Sequence, residues 1–224
     1  MKTICLIPAR GGSKRIPRKN IRPFLGKPII EYPIATAMRA GIFNDIIVYT
    51  DDHEVRDVAI KAGASYMPRD KVSDNQSTTD MLLEFLNIYK KINKKLEYLC
   101  LLYPTSVFIT SELLSIDSKL LTWYDGVITF NKYSHPIERA FKIKYDGMSM
   151  FSEMRNPEYE FIRTQDIEES YYDAGQMYFL NVKRFLEQKR VFMKNIYPVI
   201  INSVDIDDET DWKKAEAFYK VIYK

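Results

Sequence analysis

Long hydrophobic runs are missing from this chain: nowhere do about eighteen apolar residues follow one another, the length a membrane-spanning helix needs. Met1, Lys2 and Thr3 run straight into a strand-like segment, so no leader is expected and the chain is expected in the cytoplasm. Cysteine is scarce. Cys5 and Cys100 each sit in an apolar run, without the paired spacing of a metal site or a disulfide framework, and read as buried, reduced thiols. Charge of one sign is lacking too: 33 basic against 30 acidic residues leave +3, too little for a general nucleic-acid or membrane surface. No internal repeat or low-complexity segment appears. The 224 residues suit one domain spanning 1–224 with a substantial core.

What basic charge there is gathers in one place. Residues 7–20 read IPARGGSKRIPRKN, directly after an apolar run, so a strand ends in a loop carrying Arg10, Lys14, Arg15, Arg18 and Lys19. Such a density of cations repels itself unless an anion is bound, and Gly11 and Gly12 can take positive φ and let backbone N–H groups approach a ligand. A polyphosphate is the expected guest. The loop fits neither GxxxxGK[ST] nor GxGxxG, which sets aside two familiar nucleotide folds.

Apolar runs alternate with segments of helical period, the pattern of a parallel sheet wrapped by helices. Residues 3–7, 45–50, 98–102 and 126–130 read as central strands, and 30–40, 54–62 and 78–92 as helices. Further strands are expected at 176–179 and 199–201, a helix at 182–188, and a last helix with Trp212, Ala215, Phe218 and Ile222 along one face. Between 135 and 172 the sequence loosens into aromatic and charged residues without a clean period, a poor core but a suitable interface. In an open α/β sheet ligands sit beyond the carboxyl ends of the strands. Residues 10–20, 51–52, 103–106 and 205–207 all follow candidate strands, within reach of one crevice.

Three further segments carry chemistry. Residues 68–80 set Arg69 and several hydroxyls before a helix; read alone, this is a capped start with Ser77 or Thr78 as the cap and Asp80 in the first turn. Tyr103-Pro104-Thr105-Ser106 reads as a turn after a buried strand. Asp205 and Asp207 share one side of an extended segment, because alternate side chains share a face. That spacing can present oxygen ligands to Mg²⁺, which takes a few carboxylates and completes its shell with water and substrate phosphates. The same acids could instead cap the last helix, a task open to Asp207 or Asp208.

The basic loop is similar, nearly residue for residue, to the IPARxGSKxxxxKN signature of the cytidylyltransferases that activate sialic acids and related nine-carbon acidic sugars. The resemblance runs from Ile7 to Trp212 and implies an α/β, Rossmann-like nucleotidyltransferase fold (glycosyltransferase-A-like), with a mainly parallel central sheet and a small insertion near 135–172 for dimerisation and sugar binding. It implies transfer of CMP from CTP to a sugar acid. Arg10, Gly11, Gly12, Ser13 and Lys14 would hold the β and γ phosphates, with Asn20 near the ribose and phosphates and Arg69 and Ser77 over the cytosine. Asp205 and Asp207 correspond to the family's metal-binding DxD, so Mg²⁺ is the implied cofactor, and Arg10, Lys14 and Asp207 are the implied catalytic residues. Tyr103, with Thr105 and Ser106, stands where the family has a QPTS turn facing the sugar; the tyrosine departs from that pattern. RTQD at 163–166 resembles R-x-Q-[DE], which puts Arg163 and Gln165 on the sugar, Arg163 as a fork for its carboxylate.

The late motifs choose a branch. Sialic acid enzymes tend to read NGAIY where this chain has DAGQMY, and carry a lysine where it has Glu138 followed by Arg139. HPIxRAFKI together with YxDAGQxY looks like the branch that uses pseudaminic acid, a bacterial diamino nine-carbon acid of flagella and surface polysaccharides. This places Arg139, Asp173 and Gln176 with the sugar. Rival acids are sialic, legionaminic and 3-deoxy-octulosonic acid, and a rival class is a CTP-binding protein without catalysis. The resemblance further implies a homodimer whose arm reaches the partner's site; no nucleic-acid or membrane partner is expected.

Overall fold

A strand covered by helices on both sides has no polar face, which is why the central runs here are continuously apolar rather than alternating. In the computed structural model, which describes residues 2–70, 76–92, 95–115 and 120–223, the run TICLIP forms β1 (Thr3–Pro8) with every residue buried. There follow the short strands β2 (Pro23–Phe24) and β3 (Lys27–Pro28), α1 (Glu31–Ala40), β4 (Asp45–Thr50), α2 (His53–Lys61), β5 (Ser65–Pro68) and α3 (Thr78–Ile92). The second half contains β6 (Tyr98–Leu102), α4 (Ser111–Leu114), α5 (Leu120–Trp123), β7 (Gly126–Lys132), β8 (Phe141–Tyr145), β9 (Met150–Met154), β10 (Tyr171–Asn181), α6 (Val182–Gln188), β11 (Ile196–Ile200) and α7 (Glu209–Tyr223).

Seven strands form one sheet in the order β11-β7-β10-β6-β1-β4-β5. All neighbours run parallel except β10, which is antiparallel to both β6 and β7. From β1 the chain steps outward through β4 and β5, then crosses back to β6 on the other side of β1. A crevice opens where the order reverses, beyond the carboxyl ends of β1 and β6. Among the described residues no helix is long and apolar enough to cross a membrane.

Two apolar clusters fill the faces of the sheet. Cys5 and Cys100, register partners on β1 and β6, are buried there as free thiols, and burial pushes the Cys100 thiol up. A third cluster joins Ile16 of the basic loop, Phe24 of the small hairpin, Ile29 just after it, Ile206, and Trp212 and Ala215 of α7. It fixes the basic loop and the acidic segment 205–207 relative to each other.

Most expected elements form. β10 starts five residues before the expected strand at 176–179, and β11 lies at Ile196–Ile200 rather than 199–201. β5 and the hairpin β8–β9 were not anticipated. Phe141, Ile143 and Tyr145 do alternate with Lys142 and Lys144, but both faces of the hairpin are exposed, so no core sharpens the pattern. Ser77 caps α3: its hydroxyl accepts from the Asp80 N–H at 3.1 Å and donates to the Asp80 carboxylate at 2.7 Å. At α7 the cap is Asp208, which accepts from the N–H groups of Thr210 and Asp211 and leaves Asp207 to the crevice.

Candidate active site

The loops that follow β1, β4, β5 and β6 enclose a cavity of about 510 Å³. Arg10, Gly12, Ser13, Lys14, Arg15, Lys19 and Asn20 line one part of it, and Arg69, Gln76, Ser77, Thr78 and Met81 another; Tyr103, Pro104, Thr105 and Asp207 complete the wall. Residues 71–75, which belong to the segment singled out in the sequence, lie outside the described residues.

The basic loop is built differently from expectation. Neither Gly11 nor Gly12 takes positive φ. The Gly11 N–H donates to Asp51 Oδ1 at 2.9 Å, so it serves the fold, and a Cβ on Gly11 would stand 2.4 Å from Asp52 Oδ2 and 2.8 Å from Asp52 Cβ. Glycine is needed here for close packing, whereas Gly12 has nothing within 4 Å of its Cβ position and lines the cavity. The left-handed residue of the loop is Arg18, with φ 56. Its guanidinium clamps Asp52 at 2.5 and 3.1 Å and Glu54 at 2.8 Å, which takes it out of the set of ligand-binding cations. Asn20 is buried, and its Nδ2 donates to the Arg10 carbonyl at 2.8 Å, tying the end of the loop to its start.

Asp52 also caps α2, accepting from the N–H groups of Glu54 and Val55. The Arg18 guanidinium holds its carboxyl below the ordinary carboxylate range, helped by those N–H groups. A depressed folded-state value means that this stabilisation is complete above the unfolded value, about 3.9, and is lost as pH falls through the folded one. Arg18→Ala should therefore move the acid-unfolding midpoint to higher pH, read by circular dichroism during an acid titration; an unmoved midpoint would count against the clamp.

Across the cavity, Ile206 is buried in the third cluster, so its neighbours Asp205 and Asp207 face the other way, as their spacing suggested. Lys19 reaches this segment: its Nζ donates to the Ile206 carbonyl at 2.8 Å. Desolvation lowers the Lys19 ammonium, while Asp207 and Asp205 pull it back up. Asp205 is raised, first by desolvation and then by the charge of Asp207, with Lys19 opposing. Arg15 donates to Asp207 Oδ1 at 2.8 Å, an exposed pair. Gly175, at φ +60, passes close by; its Cβ position lies 3.8 Å from the Asp205 carboxylate. Two hard-oxygen donors in a field that penalises their joint charge match what a small divalent cation such as Mg²⁺ takes from a protein. No group of three or more His, Cys, Asp or Glu suited to a metal occurs among the described residues.

A chain of hydrogen bonds runs along the opposite end of the cavity. Arg69 Nη2 donates to Gln76 Oε1 at 2.5 Å, Gln76 Nε2 donates to Glu84 at 2.6 Å, and the Tyr49 hydroxyl donates to the other Glu84 oxygen at 2.6 Å. The Arg69 guanidinium lies 5.4 Å from the Tyr49 ring centroid, and its Nε is buried without a partner. Beside it the Tyr103 hydroxyl and Thr78 Oγ1 are 2.6 Å apart, and the Tyr103 ring meets Tyr178 edge-on at 6.0 Å. Desolvation raises the Tyr103 phenol.

A family model described as cytidylyltransferase matches residues 4–121. The pseudaminic acid cytidylyltransferase of Campylobacter jejuni is 36% identical over 230 residues, covering 99% of this chain and 97% of that protein. This chain belongs to the cytidylyltransferase family. The CMP-N,N'-diacetyllegionaminic acid synthase of Legionella pneumophila is 27% identical, with 96% and 95% of the two chains covered. A solved structure titled as CMP:2-keto-3-deoxy-manno-octonic acid synthetase complexed with CTP superposes with a TM-score of 0.70 at 17% identity, over 99% of this chain and 100% of that one. At that identity the likeness speaks for the fold, and the mainly parallel α/β sheet agrees with it.

Within this cytidylyltransferase the residues expected on the sugar are dispersed. Tyr103 and Thr105 line the cavity. Ser106 does not: it is buried, and its hydroxyl donates to the Gln176 carbonyl at 2.6 Å. The Gln176 side chain is itself fully buried with both polar ends unpaired, which corrects its expected place on the surface of the site. Asp173 is held by the Gly175 N–H at 3.0 Å and by the Tyr178 hydroxyl. Arg139 is stapled to the carbonyls of Tyr159 and Ile162 and to the Thr164 hydroxyl, so it organises the arm and does not reach out for a carboxylate. Arg163 pairs with Asp166 at 2.9 Å; it and Gln165 stand exposed, outside the cavity wall of their own chain.

Lys19, Gln76 and Glu84 were missed. Lys19 was one more cation in a basic loop, and only the pairing of that loop with Ile206 singles it out. Gln76 and Glu84 carried no signal, since an amide before a helix and an acid on its face are ordinary surface features.

Proposed function

We propose that this chain transfers CMP from CTP to the anomeric hydroxyl of a nine-carbon 2-keto-3-deoxy sugar acid, pseudaminic acid, and releases pyrophosphate. The supporting observation is one cavity whose wall is shared by the basic loop, Asp207 of the acidic segment, and Arg69 with Gln76. The full-length relatives named for this activity, at 36% identity, favour pseudaminic acid over its rivals.

The hydroxyl oxygen attacks the α-phosphorus, the bond to the bridging oxygen breaks, and the hydroxyl proton passes to solvent. Such a step asks the protein for placement and charge neutralisation rather than covalent work. Arg10 and Lys14, with Ser13 and the open backbone at Gly12, take the β and γ phosphates and stabilise the charge on departing pyrophosphate. Lys19 sets a desolvated positive charge beside the acidic pair, where the α-phosphate would lie. Arg69 and Ser77 take the cytosine, and Tyr103 and Thr105 bound the sugar. Asp205 and Asp207 would hold Mg²⁺, which when bound polarises phosphate oxygens as a Lewis acid.

The test is pyrophosphate release from CTP and Mg²⁺ with each candidate acid in turn. Turnover with pseudaminic acid alone is expected; turnover with sialic, legionaminic or 3-deoxy-octulosonic acid instead would name a different acid, and silence with all would favour a binding protein. The same reading makes the segment near 135–172 an inserted arm for a homodimer in the cytoplasm. Its support is the apolar surface of β8, β9 and their neighbours, where Met148 is 97% and Phe161 89% exposed, and the position of Arg163 outside its own cavity. Light scattering should give the mass of two chains, and a fully active monomer would refute the arm's role.

A further inference from the structure

The hydrogen-bond chain at the far end of the cavity has a fixed polarity. The Ser77 hydroxyl has one proton and two lone pairs. Its proton is committed to the Asp80 carboxylate at 2.7 Å, and one lone pair accepts from the Asp80 N–H at 3.1 Å. What remains for a ligand in the cavity, which Ser77 lines, is a lone pair and nothing else. Arg69, on the same wall, has the opposite character: its Nε is a buried donor with no partner, and a guanidinium cannot accept. Its orientation is set from behind, because Glu84 takes the Gln76 amide hydrogen and so turns the Gln76 oxygen toward Arg69.

We propose that Asp80, which touches no ligand, makes this cavity choose cytosine over uracil by holding the Ser77 proton away from the base. The inference rests on the reading of the cavity as a pyrimidine nucleotide site. Along the recognition edge cytosine offers an exocyclic amino group, which donates, beside a ring nitrogen and a carbonyl, which accept. Uracil puts a carbonyl where cytosine has the amino group and an N–H where cytosine has the accepting ring nitrogen, and only the second carbonyl is common to both. A serine whose hydroxyl could rotate would serve both bases, donating to one and accepting from the other. With Asp80 in place the hydroxyl can only accept: it bonds the amino group and sets lone pair against lone pair when a carbonyl stands there, so discrimination includes a repulsive element. Arg69 donates to the O2 carbonyl, the one acceptor of that edge that both bases share, and there adds affinity without choice. Asp80 is thus a positioning residue for base identity, acting through Ser77.

The experiment is calorimetric titration of the full chain with cytidine and uridine triphosphates, in the absence of sugar, which needs no turnover. The wild type should favour the cytidine nucleotide. Asp80→Ala should reduce that preference about tenfold, the equivalent of one hydrogen-bond choice, while Asp80→Asn, whose carboxamide oxygen can still take the Ser77 proton, should keep it. Loss of the Asp80 carboxylate from the first turn of α3 shifts the melting temperature but acts on both nucleotides together, so the ratio separates the two effects. Ser77→Ala should lose the same preference, and adding Asp80→Ala to it should change nothing more. A wild type that binds the two nucleotides equally or binds neither, an unchanged ratio in Asp80→Ala, or, should that variant not fold, an unchanged ratio in Ser77→Ala, overturns the inference. The transfer reaction itself stands or falls on the pyrophosphate assay instead.

Discussion

Lys19→Met lowers kcat by a factor on the order of 10²–10³, the usual cost of removing one preorganised charge from a transition state, while the chain stays folded. The argument is positional. Lys19 sits on the acidic segment's backbone, donating to the Ile206 carbonyl at 2.8 Å, and its field reaches both Asp205 and Asp207. Desolvation has already lowered its ammonium, and a desolvated charge acts more strongly on a developing oxyanion than a hydrated one. Methionine keeps the stem and its packing but loses the charge. The Ile206 carbonyl is then left without this donor, at about 1–3 kcal/mol, which a thermal melt will register as a lower midpoint. Lys19→Arg should not restore turnover, because a planar fork does not replace a compact ammonium at a backbone carbonyl. Steady-state kinetics with both variants checks this, and wild-type kcat in Lys19→Met would remove Lys19 from the reaction.

Gly11→Ala destabilises the fold by about 1–3 kcal/mol through overpacking and drops turnover with it, whereas Gly12→Ala leaves the melt where it is. The two glycines are neighbours and look equivalent in the sequence. A methyl on Gly11 would have to stand 2.8 Å from Asp52 Cβ, an atom close to the backbone that cannot swing aside, and Asp52 is further held by Arg18 and by its cap on α2. At Gly12 the same methyl meets nothing within 4 Å. The loop would therefore move away from α2 in Gly11→Ala, carrying Arg10 with it. Combining Gly11→Ala with Asp52→Gly should cost less than the sum of the two changes, because the clash is shared. Equal melts for Gly11→Ala and Gly12→Ala would show that the glycine is not there for packing.

Gly11 and Gly12 differ in ways their sequence neighbours do not show. The loop was recognised from its cations and glycines, but glycine has more than one use. Positive φ and an N–H open to a ligand were the expected ones, and the structure uses Gly11 for close packing on Asp52 and Arg18 for the left-handed turn. Arg139 and Arg163 likewise looked alike as carboxylate forks, until three arm acceptors for Arg139 and an exposed position for Arg163 separated them. Ser106 and Gln176 sat in motifs that pointed to the sugar, yet they hold each other inside the protein. A motif marks a neighbourhood, and which side of the backbone faces the ligand depends on strands far away in the chain.

Local chemistry was legible without coordinates: the α/β alternation from its periodicity, the clustering of cations in one loop after β1, the shared face of Asp205 and Asp207 from their spacing, and the branch of the family from two late motifs. Each depends on residues a few positions apart, which is the range over which a chain's own geometry acts. The tertiary structure alone decided what lies opposite what. Ile16 and Ile206, 190 positions apart, are buried in one apolar cluster, and this brings Lys19 onto the acidic segment; the return from β5 through α3 sets Gln76 and Glu84 behind Arg69. Such contacts arise from apolar burial, which rewards area and is indifferent to separation along the chain, so nothing in the neighbouring residues announces them.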